Sequence, residues 1–418
     1  MSSLCGEYQA GSRKNRLTTD HLFTIRQIIQ KCNEYDIDLH TMFIDFKKAY
    51  DSIKHEYIWR ALEELGLSQK FIRLVKVTLY GANAKVKFCG TTSSSFPVNV
   101  GLRQGDGLSV LLFNLVLEHV MRKVLTRDQM KRTIYTSKFQ ALAYADDIAF
   151  LARSISDLKI LLLNLIKHAN EAGLQINEEK TKYLLVSRSK RPGHPSQNLT
   201  IDSFNFERVD EFKYLGGIIT SENDSTPAIR ERIAAGNRCL FGLAHIFRSK
   251  WVTANTKIQI YKTALRPVVT YGLETCTLTQ QDEEILDVFE RKVLRKIFGA
   301  KKENEQWRKL YNHEIKELYH QPSISNYLRA QRLLWIGHVL RMEEDRVPRK
   351  CFQSTPDGTR PRGWPKARYN DLISTDVKKF KIVRWRVCCG PQSVEGKYLG
   401  SLQSTDLNGS AVCMYVCM

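Results

Sequence analysis

Two adjacent aspartates, Asp146 and Asp147, lie between two short apolar runs, and this stretch constrains the fold more than any other. The runs, Phe139–Ala143 and Ile148–Ala152, have the length and composition of β-strands. A tight turn between them predicts a hairpin with both acids at its tip. Neighbouring carboxylates resist ionising together unless a positive group lies between them, and Mg²⁺ takes such hard oxygen ligands. The pattern therefore indicates a divalent-metal site, although a bare Asp-Asp pair is more often a solvated hairpin tip.

A third candidate carboxylate, Asp45, closes a strand predicted over residues 38–46. The continuous apolar run Met42–Ile44 is typical of a strand buried on both faces. Ser52 is placed to cap the next helix, predicted over His55–Leu65. That assignment leaves Asp45 available for another role, such as metal binding.

The segments between these acids alternate between strand and helix patterns. Residues 101–109 carry three glycines ahead of an apolar helix predicted over 110–125, which suits either close approach of a phosphate or a tight turn with a capped helix. An amphipathic helix is predicted over 156–172, with Gly173 as its stop. This alternation predicts an α/β layer in which helices cover one face of a sheet.

The chain carries a formal net charge of +20, and a polyanion is the natural partner for so basic a protein. Nucleic acid fits this charge better than a membrane does. Arg13 and its basic neighbours either bind phosphate or form a solvated loop. Residues 301–370 interleave basic and aromatic side chains, which suits single-stranded nucleic acid or a small helical domain with solvated basic faces.

No apolar run of about eighteen residues predicts a membrane span. The polar N-terminus lacks the apolar core of a signal peptide, so we expect an intracellular, reducing compartment and free thiols at the ten cysteines. Four of them cluster near the end with no standard zinc spacing: Cys388, Cys389, Cys413 and Cys417.

Taken in order, these motifs resemble the reverse transcriptases of non-long-terminal-repeat (LINE-type) retrotransposons over residues 9–371. Ser12 stands where an aromatic residue is usual in that family, and Gly107 and Val110 stand where prolines are common. The matching segments are Gln9–Asp20 in the fingers, Phe43–Asp51 as motif A, Gly101–Asn114 as motif B, Tyr144–Asp147 as motif C, Gly173–Thr181 as motif D, Phe212–Gly217 as motif E, and Trp335–Met342 with Arg360–Asn370 after the thumb.

The resemblance implies an α+β fold: a right-hand polymerase palm, in which an antiparallel sheet carries helices on one face, then a helical thumb and a basic helical C-terminal region. The predicted domains are partial fingers over 1–36, palm with a fingers hairpin over 37–190, primer grip and thumb over 204–300, the basic region over 301–375, and a disordered tail over 376–418.

The resemblance also implies catalytic roles. Asp45, Asp146 and Asp147 would hold two Mg²⁺ ions, with Mn²⁺ as a substitute, and Lys180 would protonate the leaving pyrophosphate. Tyr50 would stack under the incoming sugar and exclude a 2′-hydroxyl. The remaining expected contacts are Arg13 on the nucleotide phosphates, Gln104 and Gly105 along the nucleotide pocket, and the primer-grip residues Phe212, Tyr214 and Leu215.

The expected partners are an RNA template, a DNA primer and a deoxynucleoside triphosphate, in a ribonucleoprotein of the nucleus or cytoplasm. The sequence is expected to be a truncated copy without the endonuclease and part of the fingers. The alternative is an inactive retroelement remnant that only binds nucleic acid; a group II intron maturase is a weaker third hypothesis. The sequence does not predict an oligomeric state.

Overall fold

The computed structural model describes residues 4–79, 81–125, 129, 133–135, 137, 139–188, 198–360 and 368–382. These residues form two compact units. Unit 1 contains the described residues up to Leu215 together with those between 345 and 360, and unit 2 contains Gly216–Glu344 and residues 368–382. Among the described helices, none is long and apolar enough to cross a membrane.

A six-stranded sheet forms the centre of unit 1. All neighbouring strands pair antiparallel except the fourth and fifth in spatial order, which are parallel. The third strand in spatial order is buried at every position, as its continuous apolar run predicts. In spatial order the strands are β6 (Phe139–Tyr144), β7 (Asp147–Ala152), β1 (Leu39–Ile44), β8 (Lys182–Val186), β10 (Phe204–Val209) and β9 (Leu199–Ile201).

Helices supply the rest of the unit 1 core. Met42 and Ile44 of β1 pack into a cluster with Phe113 and Leu162, while Phe43 points to the other face because side chains alternate along a strand. The helices of unit 1 are α1 (Thr18–Tyr35), α2 (Ala49–Ser52), α3 (His55–Glu64), α4 (Gln69–Leu79), α5 (Gly107–Val124), α6 (Ile155–Ala172) and α14 (Val347–Gln353). This mostly antiparallel sheet with packed helices confirms the predicted α+β class.

Helix ends follow local chemistry. Ser154 accepts a hydrogen bond from the Asp157 amide at 3.1 Å and so starts α6, which ends at Gly173 in the left-handed conformation (φ +91°). α5 starts three residues earlier than predicted because the Asp106 carboxylate accepts from the Leu108 amide at 3.0 Å. The predicted Ser52 cap is wrong: its hydroxyl donates to the carbonyls of the preceding turn instead, and α3 has no side-chain cap.

A two-layer hairpin links α4 to α5. Its outer pair is β2 (Asn83–Ala84) with β5 (Phe96–Pro97), and its inner pair is β3 (Lys87–Phe88) with β4 (Thr91–Thr92).

The segment containing α14 returns from far along the chain to complete unit 1. The ammonium of Lys31 in α1 donates to the carbonyls of Cys351, at 2.5 Å, Phe352, at 2.9 Å, and Ser354. These carbonyls belong to the end of α14, where a cation is favourable. Arg346 also donates to Asp20 at 2.8 Å.

Unit 2 is mainly helical. Its buried core includes Tyr261, Leu265, Phe289 and Val293. Its elements are β12 (Gly217–Thr220), α7 (Thr226–Gly242), α8 (Ala244–Arg248), α9 (Ala254–Ile260), a π-helical turn (Tyr261–Leu265), α10 (Arg266–Thr270), a 3₁₀ turn (Leu273–Thr275), α11 (Gln280–Phe298), β13 (Lys301–Glu303), β14 (Gln306–Arg308), α12 (Asn312–Tyr319), α13 (Ile324–Arg341) and α15 (Tyr369–Lys379).

The compact units do not follow the predicted domain boundaries. The break predicted between 190 and 204 lies inside unit 1, because β9 and β10 beyond it extend the same sheet. The basic region predicted over 301–375 is divided, since residues 345–360 belong to unit 1. Of the predicted tail 376–418, residues 376–379 end α15, and residues 383–418, with their four cysteines, lie outside the described residues. The names fingers, palm and thumb for these ranges stay predictions.

Candidate active site

Two adjacent strand ends bring the predicted acids together. β1 pairs antiparallel with β7, and Ile44 lies opposite Ile148 at the end of the register. Asp45 and Asp147 are the next residues beyond that pair, and both line one cavity. Asp146 precedes Asp147 in the turn between β6 and β7. The structure therefore gathers all three predicted carboxylates at one edge of the sheet.

Asp45 is held in place by the chain that leads into β8. Its backbone amide donates to the Thr181 hydroxyl at 3.2 Å, and its carbonyl accepts from the Asn177 amide at 2.8 Å. The Asn177 side chain also donates to Asp45 Oδ2 at 3.2 Å. The Lys180 ammonium lies 4.0 Å from the same oxygen and is 72% exposed, so it remains accessible to a ligand.

The two aspartates of the turn have raised pKa values. Partial burial of its carboxyl group, then the charges of Asp146 and Asp45, raise the pKa of Asp147 to about 6, although the residue remains exposed toward solvent. Burial also raises the pKa of Asp146, with Asp45 adding to the effect. Like charges held this close favour a cation between them.

The predicted primer-grip residues Phe212 and Tyr214 lie on β11 (Glu211–Tyr214). Both pack on the face of β1 that carries Phe43. The Phe212 ring stacks on Phe43 with centroids 4.4 Å apart, and the Tyr214 ring lies 5.3 Å from the same residue. A cavity of about 360 Å³ is lined by both rings together with Asp45, Asp147 and Lys180. Leu215 has a positive φ of 46° in the turn after β11 and does not line this cavity.

Tyr50 lies on α2, just beyond Asp45. Its ring stacks on Phe113 of α5 at 4.6 Å and is half-buried. Burial and then the charge of Asp146 raise the pKa of the Tyr50 hydroxyl, so the ring lies near the acids.

The glycine-rich loop reaches the same region. The Leu102 amide donates to the Tyr50 carbonyl at 2.8 Å, and the Gln104 side chain donates to Asp51 at 3.4 Å. Gly105 has a positive φ of 86° and open space where a Cβ would lie. The loop thus presents Gln104 and Gly105 beside α2.

The guanidinium of Arg13, the predicted phosphate contact, is engaged within the N-terminal segment. Its guanidinium donates to the carbonyls of Gly6, at 2.6 Å, and Gln9, at 2.9 Å, and Glu7 lies 3.9 Å away. Only 6% of its side chain is exposed. A buried guanidinium needs acceptors close by. The contacts of Arg13 with these carbonyls therefore stabilise the conformation of the N-terminal segment.

The site residues that the sequence did not single out are Asn177 and Thr181, which fix Asp45, and Gln9, which contacts the acidic turn. Asn177 and Thr181 lie within the segment that resembles motif D, and Gln9 begins the segment that resembles the fingers motif. Their position in those two segments was the feature of the sequence that could have marked them as site residues.

Within the described residues, no three Asp, Glu, His or Cys side chains converge into a ready-made metal cage. Mg²⁺ is commonly held by one or two carboxylates and completed by waters and substrate phosphates. Asp45 and Asp147 line one cavity beside the turn that carries Asp146, so their carboxylates offer the hard oxygens that such an ion takes.

The chain matches the family described as "Reverse transcriptase (RNA-dependent DNA polymerase)" over residues 2–219, more than half of its 418 residues. It belongs to the reverse transcriptase family. This match spans all of the residues around the acids described above.

Retrotransposon proteins are among its relatives. It is 26% identical over 298 residues to a Pol polyprotein of the type-1 retrotransposable element R2 of Popillia japonica, covering 69% of this chain and 46% of that protein. It is 30% identical over 184 residues to the Pol polyprotein of the type-2 element R2DM of Drosophila melanogaster, covering 41% and 17%. The chain thus spans less than half the length of these curated relatives.

Among solved structures, telomerase from Candida albicans is distantly similar, at 13% identity and a TM-score of 0.40, over 71% of this chain and 52% of that one.

Proposed function

We propose that this chain is the polymerase core of a non-long-terminal-repeat retrotransposon, extending a DNA primer on an RNA template. The observation that supports this most strongly is the placement of Asp45, Asp146 and Asp147 at neighbouring strand ends, within the matched reverse transcriptase segment. The names of the R2 relatives support the retrotransposon context.

In this proposal, Asp45, Asp146 and Asp147 hold divalent ions. When bound, such ions neutralise the triphosphate and lower the pKa of the primer hydroxyl. Lys180, exposed and 4.0 Å from Asp45, delivers a proton to the departing pyrophosphate. Phe212 and Tyr214 form an apolar floor beside Asp45 and Asp147 that orients the primer end. Tyr50 contacts the sugar of the incoming nucleotide.

Primer extension on poly(rA)/oligo(dT) with the purified full chain tests the proposal. We expect Asp146→Asn to reduce incorporation at least about a hundredfold, because the charge stabilisation it removes is worth several kcal/mol. Asp202→Asn is the matched control: it removes one acid from an exposed turn of the same unit, where a φ of 53° suits asparagine. Extension by wild type that Asp146→Asn does not reduce would refute the assigned centre. Tight RNA binding without any extension would instead support the inactive-remnant alternative.

A further inference from the structure

The turn that carries Asp146 has an unfavourable backbone. Ala145 has a positive φ of 55°, whereas Asp146 does not, and Tyr144 pairs with Asp147 across the two-residue loop. A hairpin loop with a positive φ at its first position alone is a type II′ turn, which favours glycine there. Because alanine occupies that position, something outside the hairpin must hold the conformation.

The side chain of Gln9 contacts both polar groups of this alanine. Gln9 Oε1 accepts from the Ala145 amide at 3.0 Å, and Gln9 Nε2 donates to the Ala145 carbonyl at 3.3 Å. Oε1 also accepts from the Gly11 amide at 2.8 Å, which fixes the orientation of the side-chain amide. Gln9 is only 1% exposed, so these bonds have little competition from water.

The backbone around Gln9 is docked onto the hairpin as well. Tyr8 accepts from the Ala143 amide at 2.8 Å, and the Ala10 amide donates to the Ala143 carbonyl at 2.9 Å. The segment therefore lines the outer edge of β6, the terminal strand of the sheet.

Gly11 permits this close approach. A Cβ on Gly11 would lie 2.3 Å from the Ala145 nitrogen, which leaves no room for any other residue there without a shift of backbone. Asn114 of α5 donates to the Gly11 carbonyl at 2.9 Å and holds this segment from the other side.

We propose that Gln9 is a positioning residue that holds the Ala145–Asp146 turn in one conformation and thereby fixes the acidic pair for catalysis. The catalytic part of this inference rests on the proposed polymerase function. The structural part, that the buried amide determines the turn, stands on the contacts alone. Small displacements of reacting groups can cost about a hundredfold in rate, so a loosened turn should affect turnover rather than nucleic-acid affinity.

Gln9→Met tests the inference, because methionine keeps the volume of the side chain and loses all three hydrogen bonds. The matched control is Gln140→Met: Gln140 is also a buried amide, 3% exposed, and accepts from the Ile134 amide at 3.0 Å, away from the turn. We expect Gln9→Met to lower kcat about ten- to a hundredfold with unchanged template–primer Kd. Amide exchange in peptides that cover Ala145 should accelerate at least about tenfold, while Gln140→Met changes neither measurement.

Ala145→Gly supplies the rescue. Glycine adopts the positive φ without penalty, so the turn should no longer depend on Gln9, and Gln9→Met combined with Ala145→Gly should regain most of the lost kcat. A loss that Ala145→Gly does not relieve, or one that Gln140→Met reproduces, would show that Gln9 only stabilises the fold and would overturn the inference. If Gln9→Met fails to fold, Gln9→Asn, which keeps the amide but is one methylene too short, takes its place with the same outcomes.

The exchange measurement separates this inference from the proposed function. If the wild type does not polymerise, the polymerase proposal fails. Amide exchange still tests the role of Gln9: an exchange rate at Ala145 that Gln9→Met leaves unchanged would refute the inference that Gln9 holds the turn.

Discussion

Glu290, a buried carboxyl group in the core of unit 2, should make this unit less stable as the pH rises. Burial, and then the charge of Asp287, raise its pKa from the usual 4.5 to about 7, against the opposing hydrogen bonds from Tyr261 at 2.7 Å and the Ile324 amide at 2.8 Å. Below pH 4.5 the Glu290 carboxyl group is protonated in both the folded and the unfolded state, so its titration does not change the free energy of unfolding. Between pH 4.5 and 7 the unfolded chain ionises first, so stability falls, and above pH 7 the loss is complete. One pKa unit corresponds to about 1.4 kcal/mol, which gives a total loss of about 3 kcal/mol.

Glu290→Gln removes the ionisable carboxyl group while keeping the size and shape of the side chain. The glutamine oxygen can accept from Ile324, and its NH₂ group can donate to the Tyr261 hydroxyl, which then serves as acceptor. Hydrogen exchange of the α11 amides at pH 5 and pH 8 reports the stability of this unit in the full chain. The variant should match the wild type within about 1 kcal/mol at pH 5 and exceed it by about 2–3 kcal/mol at pH 8. If wild type and Glu290→Gln differ in stability by the same amount at pH 5 and at pH 8, ionisation of Glu290 is not what destabilises unit 2.

Three further outcomes follow. Tyr50→Val should admit ribonucleotides while leaving deoxynucleotide incorporation largely intact, as measured by the incorporation ratio of the two; an unchanged ratio means that Tyr50 only packs on Phe113. Single-stranded RNA binding, measured by fluorescence anisotropy across salt concentrations, should weaken steeply with salt because of the +20 charge; a flat response would contradict contact through the basic surface. Lys31→Met should destabilise unit 1 by about 2 kcal/mol, because it leaves the buried Cys351 carbonyl and two partly buried carbonyls at the end of α14 without this donor; thermal unfolding beside the exposed control Lys14→Met measures this, and equal Tm values would contradict it.

Local sequence patterns predicted the parts of the site that are built locally. The apolar runs around Asp146 and the buried strand before Asp45 each define their own strand within a few residues. The amphipathic helix ending at Gly173 was predicted within one residue for the same reason. That the strands ending in these acids would be neighbours came from the family resemblance, since register between distant strands has no local signal.

Contacts of individual side chains and partners far away in the chain leave no such local signal. Arg13 has the composition of a phosphate ligand, and only the fold shows that backbone carbonyls and Glu7 already surround its guanidinium. Residues 345–360 carry no periodicity that indicates unit 1; their place depends on Lys31, more than 300 residues earlier. The role of Gln9 was hidden for the same reason, because its partner Ala145 lies 136 residues away.

We propose that Asp45, from one strand end, and the Asp146–Asp147 turn, from another, form a single metal-binding centre. Fe²⁺-directed cleavage tests it without relying on activity: Fe²⁺ substitutes for Mg²⁺, and with ascorbate and peroxide it cuts the backbone around the bound ion. We expect two cuts in the full chain, near residue 45 and near residues 146–147. Excess Mg²⁺ should suppress both cuts together, and Asp45→Asn should abolish both while Asp202→Asn leaves them intact. A cut at only one of these places, or cuts that Asp45→Asn affects at residue 45 alone, would contradict a shared centre.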